Sequence, residues 1–187
     1  MFRIALVAMM ASAAFGVRRP AAAFKAAAPQ PHFEGDVAMP VLGVAPSELK
    51  PAFDQARAGH VHHALDILAP RGTPVVAAVD GTIRKLFNSG AGGITIYQFD
   101  AGETFVYYYA HLDRYALGMR EGIRVKRGEV IGYVGTTGNA PEGTPHLHFA
   151  IARLTAGKEW WKGEPIDPYP ILTTPASAPL KLASETD

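Results

Sequence analysis

Short runs of alternating apolar and polar residues dominate the chain between residues 66 and 152. Successive side chains of a strand point to opposite faces, so alternation of this kind predicts strands with one buried face. No stretch of this region sustains the 3.6-residue period of an amphipathic helix. The predicted strands cover residues 73–79, 82–87, 94–99, 104–110, 130–134 and 147–152.

Turn residues between these runs predict how the strands connect. Asp80-Gly81 predicts a hairpin between 73–79 and 82–87, and residues 100–102 predict a second one between 94–99 and 104–110. Many short antiparallel strands with glycine-rich turns indicate a mainly β fold, either a compact antiparallel β-sandwich or a partly closed barrel. Trp160 and Trp161 follow the last strand, and we expect them to pack an aromatic pair on the sheet.

The N-terminus has a different pattern, typical of a secretory signal peptide. A positive start at Arg3 precedes an apolar run over 4–17, and small residues at 11–13, 21–23 and 26–28 offer cleavage sites. About 14 apolar residues are too few to span a bilayer comfortably, so we expect no stable membrane span after cleavage. An uncleaved anchor is the alternative.

These patterns predict the domain organisation. We expect a signal peptide and leader over 1–28, a flexible linker over 29–38 and one folded domain over 39–172. Residues 173–187 are rich in Pro, Ala and Ser and are expected to be a disordered tail.

Composition narrows the functional classes. The chain has 187 residues, of which 19% are charged, with a formal net charge of +1. This length suits one domain with a real core, and the charge gives no sign of nucleic-acid binding. The chain contains no cysteine, so any metal must be held by His and Asp or Glu.

Three short motifs carry candidate chemistry. Alternation places His146 and His148 on one face of the last strand, where two imidazoles can hold a metal, or one can ligate beside a proton carrier. His62 lies four residues before Asp66, the spacing of a short chelating turn. His111 ends the run of strand formers at 105–109.

The ordered set His-x-x-x-Asp, Tyr-x-His-Leu and His-x-His resembles the M23 family, the LytM/lysostaphin-type zinc endopeptidases. The glycine-containing segments 72–81 and 122–132 match that family too, and the resemblance covers residues 39–155. It implies a Zn2+-dependent enzyme that cuts peptide bonds in peptidoglycan stem peptides or cross-bridges. The N-terminal signal-peptide pattern predicts a periplasmic or secreted location in the bacterial envelope, and targeting to the wall would come from the domain itself or from a regulatory protein partner.

The resemblance assigns roles to five residues. His62, Asp66 and His148 match the zinc ligands, and His111 and His146 match the catalytic histidines that handle protons. His63 is in the wrong register for a ligand, so we expect it to be solvated or to lie beside the ligand shell. Ala64 occupies a position where the family often has glycine, which puts a left-handed backbone there in doubt.

Two further residues are candidate substrate contacts. Tyr109 lies two residues before His111 and is expected to share its face and border a cleft, although sheet packing is the alternative. Asn139 lies in the loop before the His-x-His strand and is expected to reach a substrate peptide, unless it is an ordinary polar turn residue.

Other classes of protein have less support from the sequence. The sequence has no His-Glu-x-x-His helix, no Gly-x-Ser-x-Gly elbow and no phosphate-binding loop. The competing hypothesis is a non-catalytic LytM-like module that binds the wall or activates an amidase. Degenerate members of that kind lose ligands, whereas all five positions are intact here, which favours the enzyme.

Overall fold

The computed structural model describes residues 37–57 and 59–174. The predicted signal peptide and leader, most of the predicted linker and nearly all of the predicted tail lie outside the described residues. Within the described part, no helix is both long and apolar enough to cross a membrane.

The described residues form a 3₁₀ turn at Pro46–Glu48, eleven strands and one short helix. The strands are β1 (Ala56–Arg57), β2 (His60–Val61), β3 (Leu65–Leu68), β4 (Pro74–Val76), β5 (Gly81–Ser89), β6 (Gly93–Asp100), β7 (Phe105–Tyr115), β8 (Arg124–Val125), β9 (Val130–Val134), β10 (His146–Leu154) and β11 (Gly163–Ile166). The helix, α1 (Pro168–Thr173), begins at Asp167, whose carboxylate accepts a hydrogen bond from the Tyr169 backbone N–H.

Nine of the strands form one antiparallel sheet in the order β11-β10-β7-β6-β5-β8, with β3 beside β10 and β9 between β7 and β4. The long strand β7 pairs with β10 along its first half and with β9 along its second half. Among the described strands the path ends at β8 and β11, so the sheet does not close. The prediction of a mainly β, partly closed antiparallel fold is confirmed. Strands β1 and β2 form a separate two-stranded ribbon.

One predicted hairpin is present and the other is not. Strands β6 and β7 form the hairpin expected around residues 100–102. The hairpin expected around Asp80 is wrong, because β4 pairs with β9 and β5 pairs with β6 and β8. The Asp80 carboxylate accepts a hydrogen bond from the Arg127 backbone N–H at 2.8 Å, so this residue joins two distant segments and does not close a local turn.

The core is built from the apolar positions of the alternating strands. Its largest fully buried side chains are Tyr107, Tyr109, Phe149, Leu65, Ile67, Ile83, Ile96, Leu112, Ile131, Leu147 and Ile151. On the opposite face, the Trp160 ring packs against Tyr97 and Phe87, with centroids 4.6 Å and 5.5 Å away. Trp160 therefore packs on the sheet as expected, whereas Trp161 contacts Trp160 at a centroid distance of 5.1 Å and stays exposed.

Candidate active site

Strand β10 supplies two histidines to one face of the sheet. Leu147 and Phe149 are fully buried on the core side, so His146 and His148 point the opposite way, as their alternation predicts. The strand lies between β3 and β7, and its register places His148 directly opposite Asp66 on one side and Ala110 on the other. The pairing of strands thus brings together residues that are 82 positions apart.

His62, Asp66 and His148 form a compact triangle of possible metal ligands. His62 Nε2 lies 3.0 Å from Asp66 Oδ1 and 3.1 Å from His148 Nδ1, and the third side is 3.1 Å. Ligands at tetrahedral angles on bonds of roughly 2.0–2.1 Å would be about 3.3 Å apart. The three donor atoms therefore fit around one small cation.

The surroundings of His62 fix which ring nitrogen faces the triangle. Its Nδ1–H donates to the Ala52 carbonyl at 3.1 Å, which leaves the Nε2 lone pair available to bind a metal ion. The backbone N–H of His62 donates to the Gln55 carbonyl, which holds the preceding loop in place. Burial lowers the pKa of His62, so the imidazole is neutral at neutral pH, as a metal ligand must be.

Asp66 is held as a carboxylate. Burial alone would raise its pKa, but the hydrogen bond from His148 and the charges of His148 and His62 hold the pKa well below its usual range. Its second oxygen, Oδ2, accepts a hydrogen bond from the Arg57 guanidinium at 2.7 Å. Arg57 therefore leaves Oδ1 to face the two imidazoles. Nothing in the local spacing of the sequence indicated this arginine, because the ribbon β1–β2 brings it to the site.

His111 and His146 lie beside the triangle with one nitrogen each committed elsewhere. His111 Nδ1–H donates to the Thr137 carbonyl and His146 Nδ1–H donates to the Thr144 carbonyl, both at 2.8 Å. Each ring thus has its Nε2 available on the side away from that carbonyl, and the Nε2 of His146 lies 3.9 Å from Asp66 Oδ1. The His111 ring centroid is 5.0 Å from that of His146 and 5.6 Å from that of His148. Burial lowers the pKa of His111 to about 4, so this imidazole is a neutral hydrogen-bond acceptor.

A bulge in β7 aims His111 at the site. Ile96 pairs with Tyr109 and Ile94 pairs with Leu112, so β7 uses three residues where β6 uses two. His111 has a φ of 60°, in the left-handed region, and its N–H donates to the Gly92 carbonyl. The extra residue lets Ala110 and His111 follow one another on the same side of the sheet.

The same bulge makes the prediction for Tyr109 wrong. Tyr109 does not border the cleft; its side chain is fully buried in the core, where its hydroxyl donates to Gln98 Oε1 and accepts from the Ala78 N–H. Tyr108 lines the cleft instead, with its ring 5.9 Å from that of His148. Counting back two residues from His111 gives the wrong face because regular alternation does not continue through a bulge.

The remaining predicted residues lie as follows. Asn139 is exposed and lines the cleft, which has a volume of about 630 Å³, so its role as a substrate contact stays a prediction. His63 is exposed outside the triangle, with its ring 5.2 Å from Phe53. The left-handed backbone falls on His63, with a φ of 50°, and not on Ala64, which is buried. Alanine at position 64 is therefore accommodated without backbone strain.

Fold and site together define an antiparallel β protein with a candidate metal centre open to a cleft. The chain belongs to peptidase family M23, whose family model matches residues 60–168.

Similar proteins were found by sequence and by structure. The chain is 36% identical over 117 residues to the L-Ala–D-Glu endopeptidase of Bacillus subtilis, which covers 60% of this chain and 34% of that protein. It is 39% identical over 118 residues to the DD-carboxypeptidase/endopeptidase Mpg of Neisseria meningitidis, covering 62% and 24%. The chain thus spans only about a quarter to a third of the length of these curated relatives.

The fold is also similar to solved structures. The catalytic domain of the antimicrobial peptidase lysostaphin from Staphylococcus simulans superimposes with a TM-score of 0.56 at 27% identity. The match covers 69% of this chain and 96% of that domain. The sheet described above is therefore of the lysostaphin type.

Proposed function

We propose that this protein is a zinc-dependent endopeptidase that hydrolyses peptide bonds in peptidoglycan stem peptides or cross-bridges. The observation that carries the proposal is the triangle of His62, Asp66 and His148, with two more imidazoles directed at it from β7 and β10. The names of the relatives from B. subtilis and N. meningitidis, both endopeptidases, support the same reaction.

The donor set favours zinc as the metal. Two imidazole nitrogens and one carboxylate oxygen, with no thiolate, are a common ligand set of catalytic zinc, in which a fourth position stays open. His62, Asp66 and His148 would hold the ion. When bound there, it would polarise the scissile carbonyl and lower the pKa of water.

His111 and His146 supply the proton handling that peptide hydrolysis needs. Neutral His111 presents Nε2 as an acceptor, which would orient a water molecule and take up its proton. His146 presents Nε2 at 3.9 Å from the Asp66 carboxylate, where this ring would pass a proton to the departing amine. The carbonyls of Thr137 and Thr144 fix both rings in the required tautomer.

A non-catalytic module that binds the wall or activates an amidase is the second candidate. One relative supports keeping it: a protein from Caulobacter vibrioides, 32% identical over 139 residues, is named as a cell division protein and not as a peptidase. The complete set of five side chains in one cleft favours the enzyme, since a purely structural module would need none of them to remain.

The decisive experiment is digestion of purified peptidoglycan. We expect the zinc-loaded protein to release new peptide termini, identified by mass spectrometry, from at least one wall chemotype. Addition of a chelator should stop the release, and zinc should restore it. If the zinc-loaded protein cleaves no peptidoglycan of any chemotype, the regulatory module becomes the better description.

We further propose a location in the periplasm or outside the cell, because the substrate lies there and because the N-terminal pattern is that of a signal peptide. The mature protein is expected to begin between Ala14 and Pro29. Intact-mass analysis of protein from its native host tests this directly. Recovery of the full-length chain from the cytoplasm would contradict it.

A further inference from the structure

A second groove, of about 230 Å³, adjoins the candidate active site, and Tyr108 lines both. Strands β6, β7 and β10 form one side, and the segment between β10 and β11 forms the other. Among the residues that line it are Tyr97, Tyr108, Ala150, Ala152, Trp160 and Trp161. We call this surface the aromatic groove.

The rings of the aromatic groove form a continuous row that ends at the candidate metal centre. From Trp161, successive centroids lie 5.1 Å away at Trp160, 4.6 Å further at Tyr97 and 4.5 Å further at Tyr108. The Tyr108 ring is then 5.9 Å from that of His148. These spacings are those of rings in contact, so the row is one surface and not a set of isolated residues.

The row is open to a ligand. Trp161 is 63% exposed, although burying an indole is among the most favourable contributions to packing. Ala150 and Ala152 line the groove with small side chains, which leaves room above the strand. Exposed aromatic surface gathered in one place is typical of a binding site, whereas single exposed apolar residues are ordinary.

We propose that the aromatic groove binds the glycan strand of peptidoglycan while a stem peptide occupies the neighbouring cleft. The proposal rests on the proposed function, because the stem peptide is covalently attached to the glycan, and the glycan must lie next to the peptide. A pyranose ring presents an apolar C–H face that stacks on aromatic rings, with its hydroxyls left at the edge for polar groups such as Lys162. The volume lies below the roughly 300–1,000 Å³ of drug-sized sites, which suits a single sugar residue.

Tryptophan fluorescence can test this binding directly, since Trp160 and Trp161 are the only two tryptophans of the chain. Titration with a tetramer of N-acetylglucosamine, which carries no peptide, should change the emission of the parent protein. Trp161→Ala should weaken the affinity about tenfold by calorimetry, in line with the loss of one stacking platform. Leu117→Ala is the matched control, because Leu117 is fully exposed and lines neither groove.

A comparison of two substrates separates this inference from the proposed function. Trp161→Ala should lower kcat/KM on intact peptidoglycan, mainly by raising KM. The decrease should be about tenfold larger than the decrease on glycan-free peptide dimers released from the same wall. If the parent cleaves the dimers but does not bind the tetramer, and the variant loses equally on both substrates, the glycan inference is wrong and the proposed function stands. If the parent binds the tetramer but cleaves neither substrate, the proposed function fails and the glycan site stands.

Two other outcomes would overturn the glycan inference. One is a fluorescence change that appears with peptide alone and not with the tetramer. The other is concentration-dependent self-association of the parent that Trp161→Ala abolishes, which would show that a second copy of the chain covers the aromatic groove. Sedimentation velocity of both proteins over a range of concentrations distinguishes that case.

Discussion

Replacing His148 by alanine is expected to remove most of the zinc from the protein and, with it, the hydrolysis of peptidoglycan. His148 Nδ1 forms two sides of the ligand triangle, at 3.1 Å from both His62 Nε2 and Asp66 Oδ1. Loss of this ligand should reduce metal affinity and activity by more than the roughly 10–100-fold that follows mutation of an outer-shell partner. Elemental analysis of protein purified without added metal measures the zinc, with about one ion per chain expected in the parent.

The adjacent histidines at 62 and 63 provide a matched pair of controls. His62→Ala should lose metal like His148→Ala, since Nε2 of this residue also forms two sides of the triangle. His63→Ala should keep its metal, because that side chain is exposed and packs near Phe53. Full zinc retention by His148→Ala would contradict the ligand assignment. Metal loss in His63→Ala together with retention in His62→Ala would show that the register is wrong.

The parts of the site that the sequence predicts are those governed by short-range periodicity. His146 and His148 share a face because strands alternate, and Leu147 and Phe149 confirm the pleat by their burial. That His111 would join them followed from the family resemblance, because no local pattern says which strand pairs with β10.

The parts that the sequence does not predict depend on register and on distant pairing. Regular alternation through His111 predicts Tyr109 in the cleft, but β7 contains a bulge at this point. The missing hairpin at Asp80 has a similar cause: an Asp-Gly pair is a local turn signal, but here the Asp80 carboxylate binds the Arg127 N–H, 47 residues away. Local signals do not report which distant donor is available.

Arg57 and the aromatic groove are functional features that also depend on contacts between distant parts of the chain. No local sequence pattern marks Arg57, and only the ribbon β1–β2 brings its guanidinium to Asp66. The sequence predicts Trp160 and Trp161 as packing residues, which is correct for Trp160. The exposure of Trp161 becomes visible only once the row of rings leading to His148 is assembled.

His111→Ala is expected to reduce cleavage of peptidoglycan by about 10²–10⁴-fold while leaving zinc bound, since the loss of a positioned proton carrier typically has this cost. The side chain makes one hydrogen bond, to the Thr137 carbonyl, whose loss should lower the free energy of unfolding by only about 0.5–1.5 kcal/mol. Alanine also keeps a Cβ at the left-handed position, so the backbone strain changes little. The variant should melt near the parent temperature and still sediment with peptidoglycan.

His146→Ala should behave in the same way, because His146 Nε2 lies 3.9 Å from Asp66 Oδ1, beside the triangle and not within it. Leu117→Ala serves as the control, since it removes a fully exposed side chain that lines neither the cleft nor the aromatic groove. Single-turnover cleavage with zinc-saturated proteins separates the chemical step from metal loss. If both variants digest the wall at the parental rate, these histidines are structural and the proton-transfer mechanism is wrong. If either variant instead loses zinc in proportion to its activity, that histidine belongs among the ligands.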